Sequence, residues 1–138
     1  MKKQQPSASH LRDGARAELL ALRFLKRQGC KILATNFTCR VGELDIIALD
    51  KSAEHSIQEP CISVVEVRYR RSGIYGGAAA TVNHAKQQRI INSSQLWLSQ
   101  NSGYRNHPVR FDVITLSGDL DKPQLNWLKR AFSCDGVI

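Results

Sequence analysis

The hydrophobic pattern of the chain begins with a helical rhythm. After a polar start, Ser9 is placed to cap a helix that runs to Gln28, where Gly29 supplies the stop. Its apolar stripe reads Leu11, Ala15, Leu22 and Leu25, with Glu18 inside the stripe at helical spacing. The pattern then turns strand-like over Lys31–Phe37, which pairs antiparallel with Glu43–Leu49 through a turn at Cys39–Gly42. Gly42 is expected to supply a backbone conformation, or a close approach, that a side chain would block. Gly42–Asp50 and Cys61–Arg71 alternate as strands, joined by the polar, proline-terminated span Asp50–Pro60, read as a hairpin loop far from any chemistry. A second helix is expected over Val82–Gln100, burying Ile90, Ile91, Ser94, Trp97 and Leu98. Val109–Leu116 is apolar on both faces, as suits a strand covered by helices on either side, and Leu125–Leu128 reads as a short edge strand carrying Trp127.

This order predicts an α/β fold: an αβββαβ core whose mixed sheet is flanked by helices on both faces. Residues 1–8 read as a disordered tail, 9–132 as one domain and 133–138 as a frayed end. A chain of 138 residues and 15.5 kDa is long enough for one self-sufficient core.

Two of the strands carry charge where a sheet interior should not. Alternation puts Glu43, Asp45, Ile47 and Leu49 on one face of the first strand, and Ile62, Val64, Glu66, Arg68 and Arg70 on one face of the other. The antiparallel register that hides the apolar residues pairs Leu49 with Ile62 and Ile47 with Val64. It thereby sets Asp45 opposite Glu66 and Glu43 opposite Arg68. Two carboxylates about 4 Å apart repel by roughly 4 kcal/mol at an effective dielectric near 20. A divalent cation reverses that sign, and Mg²⁺ is commonly held by one or two carboxylates with waters retained, leaving room for a phosphate oxygen. Asp45 and Glu66 are therefore candidate ligands of a metal-dependent phosphodiester site. The alternative is a solvated sheet end with an ordinary Glu43–Arg68 pair.

Charge narrows the partners. Lys plus Arg number 20 against 12 Asp plus Glu, a formal charge of +8, which favours polyanions without choosing among DNA, RNA and acidic surfaces. No stretch approaches the roughly 20 apolar residues of a membrane span, and the start MKKQQPSASH has no apolar core of a secretory signal, so a cytoplasmic location is expected. Cysteines 30, 39, 61 and 134 lack CxxC spacing and read as buried reduced thiols, and histidines 10, 55, 84 and 107 read as surface or turn residues rather than ligands. The stretch from Ser72 to Ala80 lacks the spacing of a nucleotide-binding loop. Its glycines suit a segment lying over the charged sheet end, with Arg68, Arg70, Arg71 and Tyr75 as phosphate and stacking contacts. The alternative there is a plain strand-to-helix connection with solvated arginines. Lys86 lies one turn before Ile90 on the buried face of the second helix and can point toward the sheet end.

Gly42-Glu43-x-Asp45-Ile46-Ile47-Ala48, Val65-Glu66-Val67-Arg68-Tyr69-Arg70, Tyr75-Gly76-Gly77-Ala78-Ala79 and Lys86 closely resemble the YraN family, over about Gly14 to Phe132. These small bacterial proteins are similar to Holliday-junction resolvases and PD-(D/E)XK restriction endonucleases. The resemblance implies a restriction-endonuclease-like core and an inherited site. Asp45 and Glu66 would bind Mg²⁺ or Mn²⁺ with Glu18 in support, Glu43 would orient Arg68 or a water, and Lys86 or Arg68 would stabilise the transition state on nucleic acid, with DNA favoured. Resolvase-like enzymes act as two-fold dimers, so a homodimer is also implied, although composition does not demand one. Arg68 departs from the pattern, because that position is usually lysine and arginine cannot readily act as a base. A binding module of the same fold without turnover is therefore the rival reading, and an adaptor for an acidic protein a third.

Overall fold

A computed structural model of the chain describes residues 8–51, 60–71 and 82–134. The first helix, α1 (Ala8–Arg27), is followed by three strands, β1 (Cys30–Cys39), β2 (Gly42–Asp50) and β3 (Cys61–Arg70). Then come α2 (His84–Gln100), a 3₁₀ turn at Ser102–Tyr104, β4 (Val109–Ser117) and β5 (Gln124–Phe132). The strands form one sheet in sequence order, β1-β2-β3-β4-β5, and only the β3–β4 pair is parallel. A parallel pair needs a crossover, and α2 provides it. The expected αβββαβ order is present, with β5 added as an edge strand longer than the expected Leu125–Leu128. Such a mixed, helix-flanked sheet is compatible with a restriction-endonuclease-like core.

Each sheet face has its own core. On one, Leu44, Ile47, Leu49, Val64, Phe111 and Val113 pack against Ile90, Ile91 and Trp97 of α2. On the other, Ile46, Ala48, Val65, Ile114 and Leu116 pack against Ala17, Ala21 and Leu25 of α1. The α2 face matches the expected one, with Ser93 also buried and Asn83 capping the helix by accepting from the Lys86 N–H at 2.8 Å. The α1 stripe matches in its second half, where Leu25 is buried and Leu22 packs beside it, but not in its first. Leu11 is 63% exposed and Ala15 is exposed, while Ala17 and Ala21 take the sheet-facing line, because small side chains let the helix lie close. Ser9, expected as the cap, lies inside a helix that begins at Ala8. The stop at Gly29 is as expected, with φ 92 and its N–H donating to the Lys26 carbonyl.

A buried ionic network ties β2, β3, β4 and β5 together at the sheet end away from Asp45. Asp112, fully buried, accepts from the Ser63 hydroxyl, Arg110 Nε (2.9 Å), Trp127 Nε1 (3.0 Å) and the Arg130 N–H (3.0 Å). Arg110 also donates to Asp50 at 2.9 Å, and Lys129 approaches the same carboxylate at 3.8 Å. The structural role expected of Asp112 is thus present. Asp50, expected to open a polar loop, is instead buried at the end of β2 because Arg110 needs a second carboxylate. The bulge in β5 has the same cause: Arg130 takes φ 56, and its N–H turns to Asp112 where the ladder with β4 is interrupted. Residues 52–59, the middle of the expected hairpin loop, lie outside the described residues.

All four cysteines are free, but only Cys30 is buried as expected, its thiol pushed up to about 12 by desolvation. Cys39 and Cys61 are half-buried and Cys134 is exposed. His84 is exposed and His107 half-buried, while the side chains of His10 and His55 lie outside the described residues. No helix among the described residues is long and apolar enough to cross a membrane.

Candidate functional site

The register of β2 on β3 follows the expected one through Leu49↔Ile62 and Ile47↔Val64 and reaches Ile46↔Val65. It does not continue to an Asp45–Glu66 rung or a Glu43–Arg68 rung. Asp45 leaves the ladder because its own carboxylate replaces a backbone acceptor: Oδ2 takes the Val67 N–H at 2.9 Å. Opposite it on β1, Asn36 adopts φ 51, and the rungs on either side are Thr35↔Ile46 and Phe37↔Leu44. The alternation resets there. Leu44 consequently shares the α2-side core with Ile47 and Leu49, where unbroken alternation would set it on the opposite face.

Relieved of ladder duty, the Asp45 carboxyl sits between two clefts. One, of about 460 Å³, is lined by the β1–β2 turn (Thr38 to Glu43), Asp45, Glu66, Lys86, Arg89 and Ile90. The other, of about 330 Å³, lies on the α1 side between Asp13, Gly14, Ala17 and Glu18 and the β3 residues Val67 and Tyr69. Burial first, then the charge of Glu66, pushes the Asp45 carboxyl up to about 7, although the Val67 N–H and Lys86 pull the other way. Glu66 is only 6% exposed, and its Oε1 meets Lys86 Nζ at 2.7 Å. A nearly dry carboxylate is tolerable when a cation neutralises it. The lysine expected to reach the sheet end from α2 therefore does so.

Glu18 approaches from the α1 side. Desolvation raises its carboxyl, a hydrogen bond from the Asn36 side chain lowers it, and the charges of Glu43 and Glu66 raise it further. Glu18 thus feels the same acidic field as Asp45, across the second cleft. Glu43 is exposed on the rim of the first. Arg68 is half-buried on β3, two residues beyond Glu66, and is not among the residues lining either cleft. Arg70 and Arg71 are exposed where β3 ends, with Arg70 donating to the Tyr69 carbonyl at 3.0 Å. Tyr75 lies outside the described residues. Among the described residues, no three Asp, Glu, His or Cys side chains converge as a ready-made metal cage.

Two cations of the first cleft, Arg40 and Arg89, escaped the sequence reading. Arg89 follows Lys86 by three positions, so both project from the same side of α2, and that spacing was the available signal. Arg40 sits on the β1–β2 turn, where no periodicity assigns a face. Gly42 holds this turn against α2: a Cβ there would lie 3.0 Å from Ser93 Oγ and 3.3 Å from Arg89 Cβ. The same approach brings Cys39 to Ser93, whose hydroxyl lies 3.5 Å from Sγ and lowers the thiol's pKa.

The family model described as "Uncharacterised protein family UPF0102" matches residues 17–116, most of the chain. The chain belongs to UPF0102. This is the YraN family that the motifs resemble. Among UPF0102 proteins, that of Pseudomonas savastanoi pv. phaseolicola is 40% identical over 128 residues, covering 92% of this chain and 98% of the relative. The UPF0102 protein of Pseudomonas fluorescens is 40% identical over 127 residues, covering 92% and 98%. That of Stutzerimonas stutzeri is 40% identical over 120 residues, covering 87% and 93%. The UPF0102 match spans α1 from Ala17, the β1–β2–β3 meander, α2 and nearly all of β4, and so includes every residue of the first cleft named above and all of the second but Asp13 and Gly14.

Proposed function

We propose that the larger cleft binds a phosphodiester of nucleic acid, DNA in preference, and that Asp45 and Glu66 make it a metal-dependent hydrolytic site. The observation that carries this reading is the pairing of two desolvated carboxylates with one ammonium in a cleft that also holds Arg40 and Arg89. Two acids whose mutual charge raises one proton affinity form a site that favours a cation. Asp45 and Glu66 fit Mg²⁺ or Mn²⁺ as a two-carboxylate site completed by water, which needs no third protein ligand. Bound there, such an ion would neutralise developing charge and lower the pKa of an attacking water.

The chain's own residues have distinct roles in this scheme. Val67 N–H fixes Asp45 Oδ2, holding the side chain where it lines the cleft. Lys86 neutralises Glu66 in the free protein, and with a phosphodiester present its ammonium can turn to a non-bridging oxygen a short distance away. Arg40 and Arg89 hold the phosphates that flank the scissile one. Glu18, which takes its hydrogen bond from Asn36, adds negative field behind Asp45 and raises the site's demand for a cation. Glu43 at the rim of the larger cleft orients a water.

The second reading is a binding module without turnover. It is favoured by Arg68 at the position where related nucleases carry lysine, since a guanidinium grips phosphate but does not accept a proton. Purified protein incubated with labelled branched and linear DNA in Mg²⁺ or Mn²⁺, beside an Asp45→Ala/Glu66→Ala variant, separates the two. Metal-dependent cutting absent from the variant supports the hydrolytic reading. Salt-sensitive binding without cutting leaves the binding module, and cutting that persists in the variant removes Asp45 and Glu66 from the site.

A further inference from the structure

The outward face of α1 has no part in the cleft. Its inward side packs on the sheet through Ala17, Ala21 and Leu25, while Arg12, Arg16, Arg23, Lys26 and Arg27 are all exposed. At 3.6 residues per turn the four arginines fall within about 60° of one another around the axis, and from Arg12 to Arg27 they span about 22 Å. Arg16 is paired with Asp121, whereas among the described residues Arg12, Arg23, Lys26 and Arg27 make no ion pair. Lys26 and Arg27 in the last turn suit the helix dipole and Arg16 has Asp121, but Arg12 and Arg23 each add like charge one turn from another arginine, which the stability of α1 does not explain.

We infer that this face is a second tract for a nucleic-acid backbone, separate from the cleft. The two arginine pairs, Arg12/Arg16 and Arg23/Arg27, each step about 6 Å along the axis, close to the rise of two nucleotides of one strand along the duplex axis at about 3.4 Å each. A rigid helix presents these guanidiniums as a line, which matches a duplex edge better than it matches a compact acidic peptide. A lipid surface fits less well. Membrane-surface helices insert a broad apolar stripe, and here that stripe is already spent on the sheet, leaving Leu11 and Leu19 as separate exposed leucines. The acidic cleft with Asp13 and Glu18 lies beside the inward side of the same helix, so its field repels phosphates from the back of Asp45 while the outer face attracts them. The inference shares with the proposed function only the class of ligand, and the tract stands or falls apart from the cleft.

The test is fluorescence anisotropy of a labelled duplex DNA across a salt series, with three proteins: the unaltered chain, Arg12→Gln/Arg23→Gln/Arg27→Gln, and Arg40→Gln/Arg89→Gln. Thermal melts establish that each is folded, and flotation with vesicles containing anionic lipid runs in parallel. Each phosphate contact contributes about 0.9 to the slope of log K against log salt. The α1 variant is expected to lose about 2–3 of that slope and at least about tenfold in affinity at moderate salt, by an amount additive with the cleft variant. An α1 variant that binds DNA with unchanged slope overturns the tract alone, whatever the cleft variant does. Loss of vesicle flotation with unchanged DNA binding overturns it in favour of a lipid surface. A cleft variant with unchanged binding, beside an α1 variant that loses it, supports the tract and removes the cleft reading. Absence of any binding by the unaltered chain removes both.

Discussion

Burial and the charge of Glu66 hold the Asp45 carboxyl up at about 7 in the folded chain, against 3.8 for an ordinary aspartate. The folded state therefore binds this proton more tightly than the unfolded state, and stability falls as pH rises from about 4 through about 7. Asp45→Asn keeps a carbonyl to accept the Val67 N–H and removes the charge. In EDTA it is expected to be more stable than the parent at pH 8 by about 1–2 kcal/mol after allowance for solvent screening, with the advantage gone at pH 4. Thermal melts at the two pH values check this, and a less stable variant at pH 8 contradicts the assigned field. At Gly42 the added methyl of Gly42→Ala meets Ser93 and Arg89, so a loss of about 1–2 kcal/mol is expected, with weaker phosphate binding as Arg89 moves. Cys39, whose thiol is lowered by Ser93, should alkylate far faster than Cys30, as peptide mapping after a brief iodoacetamide pulse would report.

At the scale of elements, the Arg110–Asp112–Asp50 network joins strands that chain order alone would not lock. Arg110→Met leaves two buried carboxylates short of their main cation, and an expected loss of about 3–5 kcal/mol would appear as a lower urea midpoint. The sequence made the elements and the β2–β3 register legible because β2 and β3 bury alternate residues against different helices. It placed Leu22 and Leu25 of α1 correctly but misassigned Leu11 and Ala15, because they and the alanines at 17 and 21 form overlapping apolar lines, and only contact with the sheet chooses between them. In the site, Asp45, Glu66 and Lys86 were readable as charges at inward positions. The break at Asn36 and Asp45 was not, since nothing in local pattern says that a side-chain oxygen will take over a ladder bond. The ionic role of Asp50 was hidden likewise, its partner lying sixty positions away at Arg110.

For the whole molecule, ion binding and fold stability are one equilibrium. If Asp45 and Glu66 hold Mg²⁺, then 10 mM of the ion at a dissociation constant near 1 mM adds about 1.4 kcal/mol to the folded state. Lys86, 2.7 Å from Glu66 Oε1, would then compete with the ion for that carboxylate. Lys86→Met is expected to enlarge the Mg²⁺-dependent rise in melting temperature while weakening turnover or phosphate binding. An unchanged rise would show that the ammonium and the ion do not share Glu66. The net charge of +8 acts in the same sense on any polyanion, so comparisons between variants need a fixed ionic strength.

The single parallel pair in the sheet also sets an order of assembly. The β1–β2–β3 meander closes through neighbouring segments, whereas β4 can dock on β3 only after the chain has passed through α2. Because α2 packs on a core that includes Phe111 and Val113 of β4, Lys86 is expected to be fixed only when β4 docks, after Asp45 and Glu66 have met. The nascent meander carries an acidic repulsion that Lys86 offsets only in part in the finished protein, and a divalent cation should speed refolding by screening it. Lys86→Met should leave the refolding rate nearly unchanged and quicken unfolding, which stopped-flow chevrons with and without Mg²⁺ would resolve.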